Sequence, residues 1–337
     1  MTELKEALFY KTLKNQDVQC KLCPRFCVIK NSERGSCGTR TNINGILYSL
    51  VYGKPCSLAI DPIEKKPFYH FLPGTKSLSL STIGCNLKCA HCQNFQVSQA
   101  RFEEVPHLEA TPESIVEQAK NSGAKSISFT YSEPTVFYEY MLDIAKLAKK
   151  NKIKCTIVSN GFINSVPLKK LIPYIKAANI DLKGNALFYE KVCEGKIEPI
   201  LETLKLLKEK KVWLEITNLI IPSYNDNTEE IKETVLWIKE NLGLETPLHF
   251  SAFYPCYKLT QVPPTQPEFL FKAQAIAKQQ GLKFIYTGNI KDEEGSTTYC
   301  NYCDFPIIKR RNFLVLENKL KKGKCPNCGN KVPGIWQ

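Results

Sequence analysis

A chain of 337 residues with 43% hydrophobic content can hold one large α/β domain plus small appendages. No stretch approaches the roughly 18 apolar residues of a membrane span, and residues 1–19 are charged throughout with no leader-like apolar run, so a soluble, cytoplasmic protein without membrane contact is expected. The net charge of +13 invites a nucleic-acid reading, yet the excess is five over residues 1–75, two over 76–299 and six over 300–337. It sits in cysteine-rich ends, where metal-bound thiolates offset it, so nucleic acid is a disfavoured partner.

Three regions follow in chain order: an N-terminal module (1–75), an alternating strand–helix core (76–290) and a C-terminal module (291–337). In the first, Cys20, Cys23 and Cys27 are spaced C-x₂-C-x₃-C and Cys37 follows. Four cysteines predict a closed metal site, for zinc first and a second iron–sulfur cluster as the alternative. The module ends in a Pro- and Gly-bearing stretch, Asp61 to Thr75.

The core predicts strands at Leu78–Ile83, Ser126–Tyr131, Lys154–Ser159, Ala178–Leu182, Trp213–Ile221, Leu248–Phe253 and Phe284–Tyr286. Between them lie helical patterns. One starts at Thr111 (N-cap) and Pro112 and stops at Gly123; another spans Thr135 to Lys150 with Phe137, Met141, Ile144 and Leu147 on one face. Such alternation argues a parallel sheet, open or closed.

The first core strand runs into Gly84-Cys85-Asn86-Leu87-Lys88-Cys89-Ala90-His91-Cys92, a C-x₃-C-x₂-C run. Three clustered thiolates hold three irons of a four-iron cluster and leave the fourth open to a small molecule. A structural zinc would need a fourth ligand, and His91 is the near one. Short-spaced clusters in a long chain argue against a disulfide framework. Polar residues recur where later strands end: Ser132-Glu133-Pro134, Ser159-Asn160-Gly161 and Asp181-Leu182-Lys183-Gly184. Cys56, Cys155, Cys193 and Cys256 are left over; Cys155 reads as a buried strand residue, and Cys256, after Phe253-Tyr254-Pro255, is a minor candidate for substrate contact. His70, His107 and His249 carry no motif.

The C-terminal module pairs Cys300-x₂-Cys303 with Cys325-x₂-Cys328, two knuckles that predict a closed tetrahedral site for zinc or, second, iron. Phe313, Leu316 and Trp336 are expected among the apolar groups it shields. So short a module needs the metal for its folding energy.

The cysteine run after a first strand resembles radical S-adenosylmethionine (SAM) enzymes. Over Cys20–Arg40, Asp61–Thr75, Gly84–Gln99, Phe129–Tyr140, Val158–Phe162, Asp181–Gly184, Leu219–Asp226 and Cys300–Trp336 the chain resembles the radical SAM enzyme of the AmmeMemoRadiSam system, a relative of pyruvate formate-lyase-activating enzyme. The resemblance implies a partial (β/α)₆ barrel and a [4Fe–4S] cluster on Cys85, Cys89 and Cys92. It implies cleavage of SAM to methionine and a 5′-deoxyadenosyl radical that takes hydrogen from a substrate. It also implies a reductant such as flavodoxin or ferredoxin, and association with Memo-like and AMMECR-like proteins. SAM offers an amine, a carboxylate, ribose hydroxyls and an adenine. Glu133 suits the ammonium and Asn160 the oxygens, with Ser132 beside them; His91 takes the position beside the adenine, and Asp181 and Lys183 face cofactor or substrate. The alternatives are a helix-start acid for Glu133, a turn residue for Asn160, a surface imidazole for His91 and a local ion pair for Asp181 and Lys183. Many radical SAM enzymes carry Gly-Gly-Glu-Pro where this chain has Tyr131-Ser132-Glu133-Pro134, so the grip on the amino group differs in detail. Other readings are a tRNA- or nucleotide-modifying enzyme, a glycyl-radical activase, or a non-catalytic metal-stabilised interaction module.

Overall fold

Apolar strands separated by capped helices assemble in parallel, because each helix carries the chain back to the end where the next strand begins. The computed structural model of the protein describes residues 4–337. Its central sheet has eight strands in sequential order: β1 (Ser57–Pro62), β2 (Lys76–Ser81), β3 (Ser126–Phe129), β4 (Lys154–Ser159), β5 (Ala177–Asp181), β6 (Trp213–Ile220), β7 (Leu248–Ala252) and β8 (Ile285–Gly288). From β2 to β8 every neighbour is parallel, and β1 joins β2 antiparallel. The seven expected strands are β2 to β8. Strand β1 was not expected: Leu58 and Ile60 alternate with small or polar residues, and Pro62 closes the run, which an edge strand tolerates.

The covering helices are α1 (Pro112–Asn121), α2 (Tyr138–Lys150), α3 (Ser165–Leu171), α4 (Ala186–Val192), α5 (Glu198–Glu209), α6 (Thr228–Leu242) and α7 (Pro267–Gln279). Thr111 caps α1 by accepting from Ser114 N at 3.3 Å. Gly123 follows at φ +69°, where a Cβ is disfavoured. In register across the sheet stand Leu78, Ile127 and Cys155, and further along Ile180, Ile216, Leu248 and Ile285. They share one core with Met141, Ile144 and Ala148 of α2, and Cys155 is buried there.

Where the parallel strands begin, residues 63–72 form a floor: Ile63, Phe68, Phe71 and Leu72 pack with Ala177 of β5 and against Trp213 of β6. Glu215 is fully buried above it. Its carboxylate accepts from the backbone N–H groups of Tyr69 (3.0 Å) and His70 (2.9 Å), from Trp213 Nε1 (3.0 Å) and from His249 Nε2 (2.7 Å). Burial raises its pKa, but the bond to His249 and its other partners outweigh that and carry it below the usual value.

The C-terminal module docks on the same floor. Its strands Thr298–Tyr299, Pro306–Arg311 and Leu314–Asn318 form an antiparallel sheet. Buried Arg310 lies over the Tyr69 ring at 4.2 Å and donates to Tyr69 O (2.7 Å), Ser296 O (3.1 Å) and Thr298 Oγ1 (2.9 Å). His70 bridges Pro333 O and the Tyr286 hydroxyl, and Ile335 exchanges backbone bonds with His70 and Leu72. At the far end, residues 5–49 make two small three-stranded sheets. These are tied to α2 by a buried Arg40–Glu139 pair. Among the described residues no helix is long and apolar enough to cross a membrane.

Candidate active site

Parallel α/β sheets place chemistry where strands end and loops begin, and here that mouth lies opposite the floor. After β2 the chain turns through Gly84 at φ +96°. A Cβ there would stand 2.4 Å from Thr39 Cγ2 and 2.8 Å from Cys37 O, so close approach by the N-terminal module demands glycine. The cysteine loop that follows is held on every side. Lys88 N donates to Cys193 O (3.0 Å), Ala90 N to Val192 O (2.8 Å) and Lys258 N to Ala90 O (3.0 Å). Asn86 Nδ2 donates to Phe162 O (2.7 Å), and Arg25 Nε to Asn86 O (2.7 Å). Leu87 is fully buried in space that Gly195 leaves free. Such satisfied backbone makes a rigid platform for the thiols.

Cys89 is buried, Cys85 and Cys92 half-buried. Burial, helped by the charge of Glu133, pushes the Cys85 thiol well up; burial raises Cys92. The Cys85 sulfur nevertheless receives two N–H donors, Leu87 N (3.4 Å) and Asn160 Nδ2 (3.6 Å), which favour its thiolate. Cys92 Sγ meets Ser98 Oγ at 3.1 Å. Among the described residues two groups of three or more His, Cys, Asp or Glu have all donor atoms within 4.8 Å: Cys300, Cys303, Cys325 and Cys328, and Cys89, His91 and Cys193. Cys85, Cys89 and Cys92 are not among them as a trio. A single zinc with bonds of about 2.3 Å draws its sulfurs to roughly 3.8 Å; a cluster gives each thiolate its own iron and spreads them. The wider set, soft in all three donors, fits a four-iron cluster.

Around the thiols stand the other expected residues. His91 is buried and packs against Phe188 at 5.6 Å; its Nδ1 has no partner. Burial, with Lys183 nearby, lowers it to about 3. It is therefore not a surface imidazole, and its orphaned nitrogen points to a missing polar group. Glu133 is buried and accepts four bonds: Oε1 from Thr135 N (2.9 Å), Thr135 Oγ1 (2.7 Å) and Ser159 Oγ (2.8 Å), and Oε2 from Asn160 N (2.9 Å). Burial still raises its pKa. It is at once the cap of the turn Pro134–Phe137 and a clamp between the ends of β3 and β4. Ser132 bonds to Ser81 (3.0 Å), below this clamp. Asn160 reaches Asn86 Oδ1 (2.9 Å) as well as Cys85. Asp181 and Lys183 form an ion pair at 2.6 Å. Burial works to lower Lys183, but Asp181 and the Cys89 and Cys193 thiols raise it well above its usual value.

Cys193, unassigned by spacing, is fully buried beside Cys89. The bond it makes with Cys89, then burial, push that thiol well up. Cys256 donates to His91 O at 3.3 Å and thus borders the cysteine loop. His70 and His249 belong to the floor, and His107 packs on Phe102 at the surface. The C-terminal thiols converge instead: Cys300 and Cys328 stand 3.6 Å apart and Cys303 and Cys325 3.8 Å. Asn327 and Asn330 donate to Cys303 and Cys328 at 3.5 Å each, and Cys303 falls to about 6, first through Asn327.

The sequence model of the Radical SAM superfamily matches residues 79–238, which carry the cysteine loop and the mouths of β2 to β5. Uncharacterized protein MJ0808 of Methanocaldococcus jannaschii is 48% identical over 331 residues, 98% of this chain and 99% of that one. The S-adenosyl-L-methionine-dependent tRNA 4-demethylwyosine synthase of the same organism is 34% identical over 109 residues, 31% of this chain and 33% of that protein. In fold, the chain superposes on Streptococcus suis SuiB bound to S-adenosylmethionine with a TM-score of 0.52 and 16% identity, over 71% of this chain and 56% of that one. The likeness to SuiB shows a shared fold, and the family match over the cysteine loop and the sheet behind it makes this chain an enzyme of the radical SAM superfamily.

Proposed function

We propose that Cys85, Cys89 and Cys92 hold a [4Fe–4S] cluster at the mouth of a partial (β/α)₆ barrel, and that the adjoining pocket binds SAM. Bound there, the cluster supplies the electron that cleaves SAM to methionine and a 5′-deoxyadenosyl radical, which takes hydrogen from the substrate. The observation that carries this reading is the trio of spread thiols on a fully braced loop, flanked by an unpartnered buried imidazole. Asn160 steadies the Cys85 thiolate by its amide donor. Glu133 holds Ser159 and Asn160 in place and keeps a negative charge facing the SAM ammonium, with Ser132 behind it. His91 offers Nδ1 to the nucleoside. Lys183, held by Asp181, balances thiolate or carboxylate charge. Burial of these groups excludes water from the radical.

Cys300, Cys303, Cys325 and Cys328 are assigned to structural zinc: their 3.6 and 3.8 Å spacings match a tetrahedron of thiolates. A division at residue 290 fits these roles, whereas β1 and the floor of residues 63–72 go with the central sheet and not with the N-terminal module as the boundary at 75 had it. A one-electron donor such as flavodoxin or ferredoxin is the expected partner, and the likeness to the AmmeMemoRadiSam enzyme nominates Memo-like and AMMECR-like proteins. The test is anaerobic reconstitution, reduction and addition of SAM, with 5′-deoxyadenosine measured by mass spectrometry. Product from the wild type and none from Cys89→Ala supports the reading; equal yields from both, or none from the reconstituted wild type, defeat it.

A further inference from the structure

Cys20, Cys23, Cys27 and Cys37 take no part in the site above. Cys20 closes the strand Val18–Cys20, and its N–H donates to Cys27 O at 2.9 Å, so the chain folds back to bring Cys23 and Cys27 beside it. Cys37 comes from the loop before the strand Arg40–Ile43. All four line one cavity, whose wall is completed by Leu22, Ile29 and Val136. Burial raises the Cys20 thiol and lifts that of Cys23 to about 12. Two further features face this space. Arg40, 1% exposed, donates to Cys20 Sγ at 3.7 Å and lines the cavity with its Nε unpartnered. Gly35 lies where a Cβ would come within 3.9 Å of Cys27 Sγ.

Spacing separates the possible metals. The C-terminal four sulfurs have drawn together to zinc distances, whereas no three of the N-terminal four lie within 4.8 Å of one another. The same holds of Cys85, Cys89 and Cys92, which also form no trio within that distance. Both four-cysteine sets belong to the same chain, so their difference reflects the backbone that presents them. We infer that the N-terminal module holds a second [4Fe–4S] cluster, with Cys20, Cys23, Cys27 and Cys37 each on one iron and no iron open to substrate. This reverses the preference for zinc that the spacing in sequence gave. The cavity borders the cysteine loop: Gly84 abuts Cys37 O, and Asn86, next to Cys85 in the chain, lines the cavity.

Acid-labile sulfide decides the matter, since neither zinc nor a single iron carries any. After anaerobic reconstitution the full-length Cys85→Ala/Cys89→Ala/Cys92→Ala variant is expected to keep about four sulfides, and the wild type to hold about eight. Cys20→Ala/Cys37→Ala is expected to lower the wild-type count to about four. No sulfide in the triple variant, or a count that Cys20→Ala/Cys37→Ala leaves at the wild-type value, overturns the second cluster. The second comparison suffices if the triple variant does not fold. Because the triple variant has no SAM cluster, its sulfide reports on this site regardless of the function proposed above.

Discussion

Replacing Glu133 by Gln changes one oxygen to an amide nitrogen at nearly constant shape, in a site where all four contacts are donors. If the amide oxygen keeps the Oε1 place, the new NH₂ confronts the Asn160 N–H, formerly 2.9 Å from Oε2. If it takes the other place, the NH₂ confronts Thr135 N–H; the Thr135 and Ser159 hydroxyls can turn to accept, but the backbone amide cannot. Either way one buried N–H is orphaned, at about 1–3 kcal/mol. The urea midpoint of the anaerobically reconstituted protein should fall accordingly. SAM binding should weaken about tenfold or more, since a charge-assisted bond to an ammonium contributes about 1.5–3 kcal/mol and 1.4 kcal/mol is tenfold. An unchanged midpoint would refute the account of four donors on one carboxylate. Unchanged SAM affinity with a lowered midpoint would remove Glu133 from the cofactor site and leave it a clamp.

Gly84→Ala should cost more than about 1 kcal/mol, from the positive φ and the 2.4 Å and 2.8 Å approaches, and should lower cluster content, read by iron analysis; full iron with wild-type stability would contradict the close packing. Cys325→Ser should release one metal equivalent and expose Ile307, Ile308 and Val332 to dye, while the Cys85–Cys92 cluster and uncoupled SAM cleavage persist; loss of cleavage with that cluster intact would break the separation of roles. His70 donates to Pro333 O and accepts from Tyr286, a neutral arrangement, and burial lowers it to about 4 against an ordinary 6.5. Its folded state takes up the proton later than the unfolded chain, so its contribution is complete above about pH 6.5 and is lost toward pH 4, by at most about 1.4 kcal/mol per pH unit. Urea titrations of His70→Gln across that window should show a shallower slope than wild type, and an equal slope would place the titrating group elsewhere.

The apolar runs marked β2 to β8 in the sequence because each is short, bounded by turn residues and separated by a helix with its own start and stop signals. The cysteine loop was legible because its thiols are close in sequence. Glu133 was legible as a carboxylate at a strand end, but not as a saturated one, since Ser159 and Asn160 donate from the next strand. Cys193 has no role in the sequence reading because only the packing of α4 against the loop brings it to Cys89. Strand β1 was hidden in a region whose cysteines drew attention to metal. The C-terminal core was misjudged: Phe313 and Leu316 are 45% and 46% exposed, while Ile307, Ile308 and Val332 are buried, because hairpin register, not hydrophobicity alone, decides which side faces in.

Glu133 at the mouth and Glu215 at the floor are each buried carboxylates surrounded by four donors. Between them they hold the backbone amides of Thr135, Asn160, Tyr69 and His70, none of which lies in a sheet strand. Loop amides ordinarily exchange with solvent through small local openings. These four can exchange only when a buried anion gives up its partners, so deuterium should enter them as slowly as it enters the sheet. The two ends of the molecule then open with the core rather than ahead of it, so that a radical formed in the site proposed above would be enclosed by backbone that does not fray.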